Sequence, residues 1–432
     1  MQKQASGILS NTPILPFILV TVLFFAWGVP NNMTEPLIAA FKDIFTDMST
    51  FQASLVQSAF YGSYFVWAIP AALLVKKTSY KTTLLVGIFL FAAGSFLFFP
   101  ASIKQQYWFF LTALFTLAAG LSFLETAANP YIIAMGDEAT SVRRLNLAQS
   151  FNPIGQLTGT FIATNFILKN LADDAEKASM GTQELANLQT QELAILAKPY
   201  IYIAIIAAIF FVVFMLNKMP RFQASENESQ EDFFAIYRRI LKKKRYILSV
   251  AALFAAMCAQ FGTFAFTIPY LKENYKLDDG SLIGTGDAGD ILFYGVIVFA
   301  IMRFVCTGLM KVIKPANLLA ILAFIATIAT TIAVVFPGNF GGYMLVVMCG
   351  CAGLLFPTIY GLGLEGLSEE EAKVGASGLI MAIIAIGIMN PIQGLIVDLA
   401  SVNISYICVA VAFALLVGYG AVINKHFNKA EA

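Results

Sequence analysis

From Ile14 onward the chain is a succession of apolar runs, each about as long as a helix needs to cross a bilayer, with short polar segments between them. A helix rises 1.5 Å per residue, so the roughly 30 Å hydrocarbon layer takes about 20 apolar residues. Reading the runs against that length places twelve spans near 14–41, 51–75, 82–101, 106–135, 145–169, 198–217, 246–271, 288–311, 316–336, 341–366, 372–398 and 403–424. The composition agrees: 59% of the 432 residues are apolar and 12% are charged, about half the charged share of a soluble domain. A soluble fold could not hide so much apolar surface, so an all-α membrane protein surrounded by lipid bilayer is expected.

The cations orient these spans. With the N-terminus in the cytoplasm, 19 of the 27 Lys and Arg fall on segments of that side, 7 fall on the other side, and Arg303 lies within a span. Cytoplasmic segments carry the excess of Lys and Arg, so both termini are expected there. A net charge of +1 supplies no field to recruit nucleic acid. The five cysteines all sit in apolar stretches and read as buried thiols. The single histidine, His426, lies in the polar tail, and no metal set, nucleophile–base pair or phosphate loop is visible. Neither an enzyme nor a bound metal or cofactor is expected.

Internal repetition sets the architecture. Phe60-Tyr61-Gly62 recurs as Phe293-Tyr294-Gly295, Asn152-Pro153-Ile154 as Asn390-Pro391-Ile392, and Pro130 matches Pro357. Each pair joins span n to span n+6 at nearly one offset. Such register argues for two parallel six-helix halves, residues 1–217 and 246–432, joined by a cytoplasmic connection at 218–245. That arrangement is the major facilitator fold. The connection carries an acidic patch (Glu226, Glu228, Glu231, Asp232) and a basic run from Arg238 to Arg245, read as an anchor at anionic lipid headgroups. The segment 170–197 on the opposite side reads as a solvated loop or short surface helix.

Polar groups inside spans are costly and mark function. Glu125 lies 12 residues above Asp137 on span 4, about 18 Å from the cytoplasmic end and hence near the midplane. Asn129 follows at i+4, and Pro130 is expected to open the helix. A structural carboxylate tied to a neighbouring helix is the competing reading. Asn146, Gln149, Asn152, Gln156 and Thr160 form a stripe on one side of span 5; interhelical bonding alone is the alternative there. On span 1, Pro30 and Pro36 bracket Asn31, Asn32 and Glu35, which predicts an interrupted helix lining a cavity, unless Glu35 only caps the outer end near Lys42. The second half offers Gln260, Thr263 and Thr267 on span 7, with Phe261, Phe264 and Phe266 nearby, and Asn390 and Gln393 on span 11. Arg303 reads as snorkelling or bracing a gate. Amides on both halves, with no basic ligand at the midplane, suit a neutral polyhydroxylated solute.

Asn31-Asn32 with Glu35, Phe51-Gln52-Ala53 through Gln57-Ser58-Ala59-Phe60-Tyr61, Leu124 to Pro130, Arg144 to Asn152, and Phe356-Pro357-Thr358-Ile359 carry a resemblance. At these blocks the chain resembles the fucose-galactose-glucose:proton symporter family of the major facilitator superfamily. The resemblance implies proton coupling at Glu125 and Glu35, sugar recognition at Glu35, and sugar contacts at Gln149 and Asn152. Asn32, Asn129, Gln260, Phe264 and Asn390 complete the expected sugar site. Fucose-transporting members have aspartate where Glu35 stands and a tryptophan aligned with Phe264. Glucose/galactose members have glutamine where Glu125 stands, which favours the fucose-like branch. The Lys76–Lys81 loop lacks the usual Asp-Arg facilitator motif. The expected function is import of a neutral monosaccharide, L-fucose or a related hexose, by proton symport with alternating access, by a monomer in a bacterial inner membrane. A proton-coupled exporter of small drugs and a non-transporting sugar sensor are the alternatives.

Overall fold

The structure is a computed structural model that describes residues 7–33, 37, 40–41, 44–45, 50–172, 177, 180–220 and 231–426. Glu35 and the Glu226–Glu228 part of the acidic patch lie outside the described residues. The described chain is helical, and its only extended pairing is an isolated bridge between Lys276 and Leu282. Eleven of the helices are long and apolar enough to cross a membrane. Span 5 is the one that fails this measure. It is broken into pieces, Ser141–Gln149 and Asn152–Ile162 followed by a wide turn at Ala163–Ile167, and its amide stripe dilutes the apolar character.

Neighbour relations repeat between the halves. Span 4 (Tyr107–Ala134) packs on span 3 (Tyr80–Phe96) and span 2 (Thr50–Lys77), as span 10 (Asn339–Ala352 and Leu355–Leu364) packs on span 9 (Pro315–Val335) and span 8 (Thr285–Leu309). Span 1 (Ile14–Asn31) lies on span 5 as span 7 (Lys244–Asn274) lies on span 11 (Glu369–Leu399), and span 6 (Thr182–Leu216) lies on span 3 as span 12 (Val402–Lys425) lies on span 9. This matched packing in two six-helix bundles is what the repeated tripeptides anticipate. Their side chains are less symmetric: Phe60 is buried, whereas Phe293 and Tyr294 are exposed on the outside of span 8.

Several helices break where the sequence demands it. The first helix of span 1 ends at Asn31, with Asn32 and Met33 in a turn and Leu37 helical again, so the chain is interrupted just after Pro30, as expected; Pro36 lies outside the described residues. Pro130 behaves otherwise: span 4 runs through it unbroken, and the Asn129 side chain donates to the Glu125 carbonyl at 2.9 Å, supporting the backbone next to the proline. Span 11 narrows to a tight turn at Ala382–Ile384 between two α-helical stretches. The polar segment before span 6 is also different from expectation. Residues from Thr182 continue directly into the span, started by Glu184, which reaches back to the Gly181 amide. Glu192 on the same helix accepts from the Ala172 amide at 2.8 Å and pairs with Lys177 at 3.2 Å.

Close approach of spans 1 and 5 rests on glycine. Gly155 and Gly159, four residues apart on span 5, face the backbone of Phe25 and Val29, and Gly28 on span 1 faces the Asn152 carbonyl. A Cβ at any of the three would overlap main-chain oxygen. Small residues at this spacing let membrane helices pack backbone to backbone.

The halves meet towards the end of the molecule that bears Lys76, Arg143 and the connecting segment, here called the basic end. Lys76 on span 2 pairs with Glu370 on span 11 at 3.6 Å, both nearly buried. Arg143 Nε on span 5 donates to the Thr307 carbonyl on span 8 at 3.2 Å, and Thr358 Oγ1 on span 10 donates to Asn146 Oδ1 at 3.2 Å. Lys373 on span 11 sits over the Tyr80 ring at 5.6 Å. The helix Phe233–Ile240 buries Phe233, Ile236 and Ile240 beside span 11. Part of the basic run is therefore spent on protein: Arg239 bonds Glu231 and Glu371, Lys243 bonds Glu371 at 2.5 Å, and Arg245 pairs with Glu365.

Candidate functional site

Breaks in spans 1 and 5 leave polar side chains at the meeting of the two bundles, around a cavity of about 80 Å³. From the first half, Asn31, Asn32, Glu125, Gln149, Asn152 and Gln156 reach its wall; from the second, Gln260, Phe261 and Arg303 do. Most of the expected candidates thus share one space.

Glu125 is buried and receives a hydrogen bond from Tyr64 Oη at 3.1 Å. Ser122 Oγ holds the carbonyl of Tyr64 at 3.1 Å, which fixes span 2 against span 4 beside the carboxylate. The amides of span 5 are chained. Gln149 Nε2 donates to Asn129 Oδ1 at 2.6 Å, Asn152 Nδ2 to the Phe24 carbonyl at 3.0 Å, and Gln156 Nε2 to Asn152 Oδ1 at 3.0 Å. Asn32 Nδ2 completes the chain by donating to Thr160 Oγ1 at 3.3 Å. The stripe therefore does both things expected of it: it joins helices and lines the cavity. Asn146 and Thr160 only join helices: Asn146 turns to the Val142 carbonyl and to Thr358 of span 10, and Thr160 accepts from Asn32, and neither reaches the cavity wall.

Three expected contacts stand elsewhere. Asn129 is fully buried behind Gln149 and does not reach the cavity, because its amide is taken up by Glu125's carbonyl and Gln149. Phe264 lies edge-on to Phe299, their centroids 5.4 Å apart, and Phe261, one turn earlier, takes the place at the wall. Asn390 is not at the wall, although its counterpart in the repeat, Asn152, is. Its buried Oδ1 has no partner among the described residues. Glu35 cannot be compared, lying outside the described residues.

Arg303 requires the largest correction. The sequence suggests a cation that snorkels or braces a gate, and a midplane without basic groups. Instead the side chain is 4% exposed, lines the cavity together with Glu125, and rests over the Phe299 ring at 4.8 Å. Its Nη1 donates to the Gln149 carbonyl at 2.8 Å, so it does brace one half against the other. Tyr61 and Tyr64 also reach the wall unforeseen. Their i, i+3 spacing within a span that carries the repeated Phe60-Tyr61-Gly62 was the available signal.

Two repeated bundles of membrane helices around a polar central cavity define a transporter of the facilitator type. Residues 16–390 match the Major Facilitator Superfamily, and the chain belongs to it. The chain is 37% identical over 426 residues to the L-fucose-proton symporter of Haemophilus influenzae, covering 96% of this chain and 97% of that one. It is 34% identical over 414 residues to the L-fucose-proton symporter of Escherichia coli, covering 94% and 92%. A Major Facilitator Superfamily transporter, FucP, solved in the outward conformation superposes with a TM-score of 0.86 at 33% identity, over 94% of this chain and 98% of that one.

Proposed function

We propose that this transporter imports a neutral monosaccharide, L-fucose or a related hexose, together with protons, and that it does so as a monomer in a bacterial inner membrane with the basic end in the cytoplasm. Residues 1–217 and 246–432 are the two moving halves and 218–245 the connection between them. Because the two halves are pinned together at the basic end, the conformer is the one that receives sugar from outside.

One observation carries this reading: a buried carboxylate, Glu125, opens onto a cavity whose wall carries amides and aromatic rings beside the single guanidinium of Arg303. Amides donate and accept, which matches the hydroxyls of a sugar, while rings such as Phe261 offer flat apolar faces. Gln149, Asn152, Asn32 and Gln260 are the sugar contacts; Asn129 positions Gln149 from behind, and Glu35 remains a candidate for proton coupling and recognition. Glu125 carries the proton. Arg303 in the same cavity makes its two states differ in charge balance: an ionised Glu125 compensates the guanidinium, and a protonated one leaves it to its Gln149 contact. Sugar bound between Gln149 and Gln260 draws the halves together, so sugar and proton each strengthen the other's binding by the same factor.

Replacing Glu125 with Gln should abolish uphill uptake driven by a pH difference and keep sugar counterflow in proteoliposomes. Accumulation that persists in Glu125→Gln would remove that residue from the mechanism. Counterflow of labelled fucose against unlabelled fucose, galactose, glucose and arabinose identifies the sugar, and no competition by any of them would exclude the class.

A further inference from the structure

A second cavity, of about 510 Å³, lies outside the transport site where the helix Phe233–Ile240 meets spans 7 and 11. Tyr237 and Leu241 stand at the basic end of it, and Tyr246 to Phe254 line it over eight residues of span 7, about 12 Å of depth. Val250, Phe254 and Met381 make its walls apolar. The one hydroxyl that could have faced the groove from span 7 is turned away, since Tyr246 Oη donates to the Gly375 carbonyl at 2.7 Å. Gly378 keeps the floor open for that tyrosine, because a Cβ there would overlap Tyr246 Oη.

The cations beside the groove fall into two sets. Arg239, Lys243 and Arg245 are paired with Glu231, Glu371 and Glu365. Arg238, Lys242 and Lys244 are exposed and form no ion pair with a described carboxylate. Exposed apolar side chains stand on the same segment, Phe234 at 60% and Leu241 at 43%. Positive charge at the membrane surface therefore adjoins an apolar channel that descends along the spans. Only a molecule with an anionic head and a long apolar tail complements both parts.

We infer that the groove between the connecting helix and spans 7 and 11 binds an anionic phospholipid, with its phosphate at Arg238, Lys242 and Lys244 and an acyl chain along Val250 and Phe254. The site stands apart from the transported solute. A lipid held here ties the connecting helix to the turn Ala382–Ile384 of span 11, whose first stretch carries Glu370 of the closed end.

Native mass spectrometry of the purified full chain, titrated with phosphatidylglycerol and phosphatidylcholine of equal chain length, tests the assignment. Each interfacial cation strengthens anionic-lipid binding about fivefold. The protein should therefore prefer phosphatidylglycerol by roughly 100-fold, and the combined Arg238→Gln, Lys242→Gln, Lys244→Gln variant should lose that preference. Ala251→Trp, at an exposed groove position, should weaken binding of both lipids and leave the fold's melting temperature unchanged. Lys311→Gln with Lys314→Gln, at exposed cations of the same end away from the groove, should leave the preference intact. Equal binding of the two lipids overturns the proposal, as does a preference that survives the triple variant or falls equally in the Lys311/Lys314 control. A stable dimer that Ala251→Trp abolishes would assign the groove to a second copy and overturn it too.

Discussion

The guanidinium of Arg303, on span 8, donates a 2.8 Å hydrogen bond to the main-chain carbonyl of Gln149, on span 5, and so joins the two halves at the wall of the central cavity. The donor is a charged group in a site sheltered from water, where such a bond contributes about 1.5–3 kcal/mol. Arg303→Met should therefore lower sugar counterflow by at least about tenfold. Lysine lacks the planar fork and its reach, so Arg303→Lys should recover only part of that loss. Counterflow equal to wild type in Arg303→Met would assign the bond no part in holding the cavity.

Lys76 and Glu370 form the pair that closes the basic end between spans 2 and 11. The loop after span 2 lacks the Asp-Arg motif, and this ion pair takes up the closing contact there. Lys76→Glu would set two carboxylates against each other and should shift the population at least about tenfold towards the conformer open at that end, which amounts to about 1.4 kcal/mol. Adding Glu370→Lys should restore the original distribution. Spin-label distances between spans 2 and 11 read the effect, and a shift that the double exchange does not reverse would count against the latch.

Spans 1 and 5 touch through glycine, and no side chain can be inserted without separating their backbones. Gly155→Val and Gly159→Val should each abolish the folded, monodisperse peak in detergent or lower its melting temperature sharply, because the added carbons meet Phe25 and Val29 carbonyls rather than flexible side chains. Gly62→Ala, where nothing lies within 4 Å of an added Cβ, serves as the tolerated control.

Glu371 has three duties at the start of span 11. It closes a capping box with Ser368 and accepts from both Arg239 and Lys243 of the connecting segment. Loss of the cap alone costs about 1 kcal/mol. Glu371→Ala should speed amide hydrogen exchange throughout Phe233–Ile240 and at the first turn of span 11, while Asp398→Ala, at the far end of the same span, should not. Unchanged exchange in the connecting helix would mean that its apolar face alone holds it.

Span positions were legible because lipid imposes a length and a polarity that local sequence must satisfy. Glu125, the span 5 stripe and the break after Asn31 were legible for the same reason: each violates the apolar rule, and the violation is visible in one dimension. Arg303 violates it too, but its sequence position leaves snorkelling and bracing a gate both open, since one arginine near a span end does not reveal which neighbour its helix leans on. Only the packing of span 8 against span 5 turns it inward. Asn129 and Phe264 show the reverse error. Their helical spacing to Glu125 and Phe261 puts them on the expected sides, yet Gln149 and Phe299 stand close enough to take up their surfaces.

The amino-acid sequence by itself determined the membrane class, the twelve crossings, the doubled architecture and most of the polar groups available for recognition, because each follows from the cost of placing polar or apolar groups in lipid. Tertiary structure alone decided which of those groups share the cavity, that a positive charge faces Glu125's space, and that half of the basic run is spent on carboxylates of span 10 and span 11. These outcomes depend on helix rotation and on contacts between residues more than a hundred positions apart, and no local pattern in the chain encodes them.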